Sequence, residues 1–448
     1  MKPSSPFSLL ALSALTLPLS SALAIEAVWT SNATGGADWS LADNWLGDIA
    51  VMPGDSVRFP APVAGGTRTV NNDLAANTLI SGLTFGGAAY ILNGNAINLG
   101  GTVNNGAGNP TTINLSLALQ QATDFSLGAG TRIDMNGDIS GAFGINKTGA
   151  GTLRLQSTGK TYNGDTIVSV GTLDLNVANA LPSGTGKGNV SVAGGAFLTP
   201  RFGLAINGLN GSGTVQAASS GTKVITLGNN DANGDFGGTI NNGVGIVAIT
   251  KVGSGRQTLG GINGYTGATT INGGTLVLGA SASLAGSVTT IGAAGQLAGS
   301  GTIAGPVTAS GIIAPGLSAG TLTINNNLIL GGSATLSYEL NGTNQAVGAG
   351  VNDLLAGIVN LTLDGALNVA ELGSFGGLSS GSWRLINYTG TLTDNGLTIG
   401  TMPNTDPGTS FTIDTATAGQ VNLMLVPEPG TALLGLLAGL GLLRRRRV

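Results

Sequence analysis

The 448-residue chain holds 78 Gly, no His and no Cys, with 8% charged against 42% hydrophobic residues. Imidazole bases, thiolate nucleophiles, disulfides and Cys/His zinc sites are thereby excluded, and any acid–base chemistry falls to carboxylates. There is apolar surface enough for a core, no Gly-X-Y period and too little charge for a solvated disordered polymer, so a folded, Gly-rich body is expected.

At the N-terminus, Lys2 leads into an apolar run from Phe7 to Leu19 that ends in small residues. This is the pattern of a signal peptide over 1–24, a short helix with cleavage after Ala24 at an Ala22-x-Ala24 site. Export follows from it. Trp29, Trp39 and Trp45 come next, in the segment 25–100 that reads as an N-terminal cap and first rungs. They suit closure of an exposed end, with stacking on sugar rings as the alternative.

The stretch 101–425 repeats one texture: short Val/Ile/Leu/Thr runs, often alternating, punctuated by Gly, Asn-Gly and Asp-Gly. Thr275-Leu276-Val277-Leu278 and Asn360-Leu361-Thr362-Leu363 are examples, and they predict short strands between turns. No sustained helical period interrupts them. Residues 147–175 and 251–278 are self-similar: Lys147-x-Gly149-x-Gly151 echoes Lys251-x-Gly253-x-Gly255. From Tyr162 and Tyr265 onward, Tyr, Gly, Thr, Gly, Thr, Leu and Leu recur without a gap. Strand and turn repeated over such a length predict a solenoid of about 16 to 20 rungs, roughly 75 to 95 Å long.

Chemistry is harder to place. Asp231, Asn233 and Asp235 have the alternate-oxygen spacing of a calcium loop, but the Gly is misplaced and no Glu closes it, so they are weak metal candidates beside a plain turn. Asp134 and Asp138 are the next acidic pair for a two-carboxylate enzyme. Lys147 and Lys251 recur with the repeat, which suggests a structural or surface role. No catalytic residue and no cofactor is nominated.

The chain closes over 426–448 with Pro427-Glu428-Pro429, an apolar run to Leu443, then Arg444, Arg445, Arg446 and Arg447. The run reads as a transmembrane helix with a cytoplasmic basic flank, marginal in length. Lys2 and these four arginines account for five of the 17 basic residues, leaving 12 against 21 acidic ones. An acidic body argues against nucleic acid as a partner.

Two resemblances bear on function. Lys147 to Leu153 and Gly264 to Thr270 resemble the autotransporter-associated β-strand repeat, as do Asn44-Trp45 with Pro53-Gly54-Asp55 and Ala314-Pro315-Gly316 with Ser318 to Leu322. That likeness implies an all-β fold, a right-handed parallel β-helix (β-solenoid), here with a short N-terminal signal helix and a C-terminal transmembrane helix. The tail resembles the PEP-CTERM sorting signal, which implies handling by export machinery and an exosortase-type sorting protease. It also implies a membrane-held intermediate, then the cell surface or matrix of a Gram-negative bacterium. In place of a translocator barrel the tail offers one apolar run, so self-transport is not expected. The function expected is a non-enzymatic adhesive or structural surface protein, in possible contact with exopolysaccharide. The alternative is a carboxylate-dependent polysaccharide-degrading or polysaccharide-binding β-helix.

Overall fold

The computed structural model describes residues 24–30, 36–61, 66–87, 89–106, 108–286, 288–348, 350–428 and 430. Each short strand turns alternate side chains inward, and Gly-rich corners then bend the chain. Gly82–Gly86, Ala89–Gly94 and Ile97–Leu99 are three sides of one rung, after which Val103–Asn105 lies parallel beside the first, Leu83 against Val103. Repetition of this step builds a three-sided parallel β-solenoid of the right-handed type.

The first face is one unbroken ladder of 17 strands from Glu26–Val28 to Thr398–Ile399. At about 4.8 Å per step it is roughly 75 Å long, at the lower end of the expected length. Rung length varies: Gln296 pairs with Ile312, whereas Ala366 pairs with Thr398. The extra residues loop outward and leave the register of the ladder intact. On the second face a nine-stranded sheet ends at Thr239–Gly243 and an eight-stranded one begins at Ile262–Asn263; on the third, four strands precede nine.

Inward columns form the core. Val57, Leu83, Val103, Phe125, Lys147, Val168 and Val192 are successive partners and all are buried. Outward columns are polar. Asn136 Nδ2 donates to Asn114 Oδ1 at 2.8 Å and Asn114 Nδ2 to Asn93 Oδ1 at 2.6 Å, an amide ladder of the kind that stacked rungs allow. Thr226, Thr250, Thr270, Thr290 and Thr308 are successive register partners on the third face.

Both ends of the ladder are covered. Trp29, Trp39 and Trp45 are buried over Phe59, Trp29 and Trp39 each meeting Trp45 edge-on at 5.1 and 6.1 Å. At the far end Gln420–Pro427 pairs antiparallel with both Gly381–Tyr388 and Thr409–Asp414, which ends the parallel stack.

The expected fold class needs correction in its helices. Among the described residues no helix is long and apolar enough to cross a membrane, and the body's helical element is a 3₁₀ turn, Ala42–Asn44. The physical reason lies in the length: Gly430 to Leu443 would make a helix of about 21 Å against a hydrocarbon core of about 30 Å. The expected signal helix, Ala22 of its cleavage site, Pro429, the apolar run from Thr431 to Leu443 and Arg444 to Arg447 lie outside the described residues; Ala24 is described and exposed.

Candidate functional site

The repeat residues that stand out in the sequence are spent inside the wall. Lys147 lies in the inward column between Phe125 and Val168, and Lys251 in another between Leu227 and Ile271. Both are fully buried. Lys147 Nζ donates to the carbonyls of Thr148 at 2.8 Å, Gly149 at 2.7 Å and Val170 at 3.1 Å, so one ammonium ties a corner to the rung above. Lys251 Nζ does the same with Val252 at 2.6 Å, Gly253 at 3.3 Å and Gly273 at 3.3 Å. Burial pulls Lys147 down to about 8, and pulls Lys251 down against the opposing charge of Asp231.

The other shared residues complete the same device. A Cβ on Gly171 or Gly274, both at positive φ, would press on the Lys147 or Lys251 ammonium. Tyr162 and Tyr265 are buried and hydrogen-bonded through their hydroxyls to Thr166 and Thr269 at 2.5 and 2.8 Å. The first copy turns from the first face to the second, the second copy from the third to the first. The repeat therefore specifies a corner rather than a face.

The acidic candidates divide. Asp231 Oδ1 accepts the Ser254 N–H at 2.7 Å and Asn233 Oδ1 the Arg256 N–H at 2.7 Å, so both cap backbone of the next rung. Among the described residues no group of three acidic side chains converges as a metal site would require. Asp134 belongs to a ladder of alternating charge: Arg132 lies 2.9 Å from it, Arg154 3.9 Å from it and 2.7 Å from Asp174, and Arg201 2.9 Å from Asp174. Asp138 accepts from Ser157 and lies near buried Lys160, which burial pulls down to about 8 against that charge. The Trp cluster is interior, so it offers no platform for a sugar ring. Pro427 ends the last strand, and Pro427 and Glu428 are exposed.

Asp235 opens onto a concave surface. It shares a hollow on the first face with Asn210, Asn233, Gly234 and Arg256. Arg256 also borders a second hollow of about 380 Å³ that runs over Ala298 and Ala314 to Gln296, Leu317, Ser318 and Glu339. Its floor is low because Val277, Ala298 and Ala314 are successive outward residues. The far wall is the turn Gly316 to Gly320, held by buried Asp353: Oδ1 accepts the Gly320 N–H at 2.8 Å and Oδ2 the Glu339 N–H at 2.7 Å. Burial pushes the Asp353 carboxyl up to about 7, against the pull of those two N–H groups and with the Glu339 charge adding to it. Ser318 has φ +132°, strained for a residue with a side chain, and at Gly316 a Cβ would run into the Ser318 carbonyl and Asp353.

Sequence reasoning missed this groove, because Arg256, Ser318, Glu339 and Asp353 meet only once rungs of unequal length are stacked. Its one local signal is Ala314-Pro315-Gly316, a turn before an alternating strand.

Comparison with known proteins bears on the same segments. Residues 145–175 and 249–278 match the Passenger-associated-transport-repeat family. Over 115 residues, 25% of the chain, the sequence is 53% identical to the Adhesin BmaC autotransporter of Brucella suis biovar 1 (strain 1330). The match covers only 3% of that relative, so the chain spans a small part of its length. The protein is a parallel β-solenoid that carries passenger-associated transport repeats.

Proposed function

We propose that this protein is an exported, non-enzymatic scaffold displayed on the surface of a Gram-negative cell, where its solenoid serves adhesion. The observation that carries this is the pairing of passenger-type repeats with an unbroken parallel ladder, together with likeness to a protein named an adhesin. A closed solenoid of roughly 75 Å holds its faces away from a cell at little entropic cost, since each rung is fixed by the next. In the body the lysines of the repeat serve its corners, which leaves their cationic charge unavailable to a ligand.

For the route outward, we read Pro427-Glu428-Pro429 and the terminal arginines as a sorting signal for an exosortase-type protease. In support, Pro427 and Glu428 are exposed at the end of the closing hairpin, Pro427 paired with Thr409 and the Glu428 N–H donating to the Gly408 carbonyl. An in-frame deletion strain tests the function. Its attachment to an abiotic or polysaccharide-coated surface should fall and be restored by the full gene; undiminished attachment would sink the proposal.

A further inference from the structure

We propose that the two hollows meeting at Arg256 on the first face bind a neutral glycan chain lying along the solenoid axis. Six parallel steps separate Leu209–Gly211 from Thr335–Asn341, so the strip is about 29 Å long at about 4.8 Å per step. Along it lie Asn210, Asp235, Arg256, Gln296, Ser318 and Glu339, a mixture of donors and acceptors. Vicinal hydroxyls satisfy such a row, since each can donate to a carboxylate or amide oxygen and accept from a guanidinium or amide. The methyl groups of Ala298 and Ala314 form a floor low enough for the C–H face of a sugar ring.

Other occupants fit less well. A polyanion would meet Asp235 and Glu339 as well as the acidic excess of the whole chain. An extended peptide binds a sheet through a free edge, and the strands lining this groove are paired on both sides. Strained Ser318 and the carboxyl held at about 7 on the far wall are the features a concave binding site tends to collect.

The proposal rests on the surface reading only for where a glycan would be met, and its test is independent of cells. Calorimetry of the purified full chain with cellohexaose, laminarihexaose and maltohexaose, and with hexagalacturonate as acidic comparator, should show binding of at least one neutral hexasaccharide. Ala314→Trp fills the floor and Arg256→Ala removes the shared donor, and each should weaken that binding roughly tenfold or more. Thr290→Trp, on the third face, should leave it unchanged, with circular dichroism confirming the fold of all three variants. Binding of none of the neutral sugars, preference for hexagalacturonate, or full affinity in well-folded Ala314→Trp and Arg256→Ala would overturn the assignment. A negative result here leaves surface display intact, whereas a glycan binder absent from the cell surface would fail that reading alone.

Discussion

Lys251 shows how one side chain can hold a corner. Its ammonium occupies a place that Leu227 and Ile271 fill in the adjacent rungs, and it is tolerated there because three carbonyls point at it. Lys251→Met keeps the length and removes the donors, leaving those carbonyls buried without a partner, so the loss should be about 2 kcal/mol. Lys187, half-buried on a loop with its ammonium bonds open to solvent, offers the control: Lys187→Met should change stability by no more than about 0.5 kcal/mol. Thermal denaturation of both variants checks this, and equal melting points would contradict it. Part of the device was legible in the sequence. In Ile145-Asn146-Lys147 and Ile249-Thr250-Lys251 the lysine shares the parity of a core isoleucine, and period 2 alone turns it inward. Charge argues the other way, and only the carbonyls of the next rung, 23 residues from Lys147 in Val170, settle the conflict. Asp231 was conspicuous for its spacing, but its oxygen serves the backbone of Ser254, a partner that lies far along the chain.

At the scale of the element, the turn Gly316 to Gly320 depends on a carboxylate held where a charge is costly. Asp353 ionises at an ordinary 3.8 when unfolded and at about 7 when folded. Between about pH 4 and pH 7 the folded protein therefore keeps a proton that the unfolded chain has released. Stability contributed through this group falls as pH rises across that window and is level on either side. Urea denaturation of the native chain followed by fluorescence should show this decline, and Asp353→Asn should flatten it. The same slope in both proteins would show that Asp353 is not its source. The strands around this turn were readable from alternation, as Thr321-Leu322-Thr323-Ile324 shows; the turn's anchor was not. Thr335–Asn341 and Asp353 are joined by an excursion longer than the connections at the same corner in the rungs on either side, 316–320 and 374–380, and no period predicts where such an excursion returns.

For the whole molecule, closure decides what the surface can offer. Three faces share one core, buried aromatic residues cover one end and an antiparallel hairpin the other, so interaction is left to outward columns and to the groove. The solenoid was legible because a repeat of corners imposes a repeat of rungs, and the ladder of 17 strands agrees with the expected 16 to 20. The expected signal helix and the apolar run of the tail lie outside the described residues, and a helix from Gly430 to Leu443, about 21 Å, would fall short of a bilayer core of about 30 Å. Adhesion in turn requires display. The most direct measurement is antibody labelling of the solenoid on intact cells, compared with the same cells after permeabilisation and with a deletion strain. Surface display should give strong labelling of intact cells that permeabilisation scarcely raises and deletion abolishes. Labelling that appears only after permeabilisation would place the protein inside the envelope and contradict a role in adhesion.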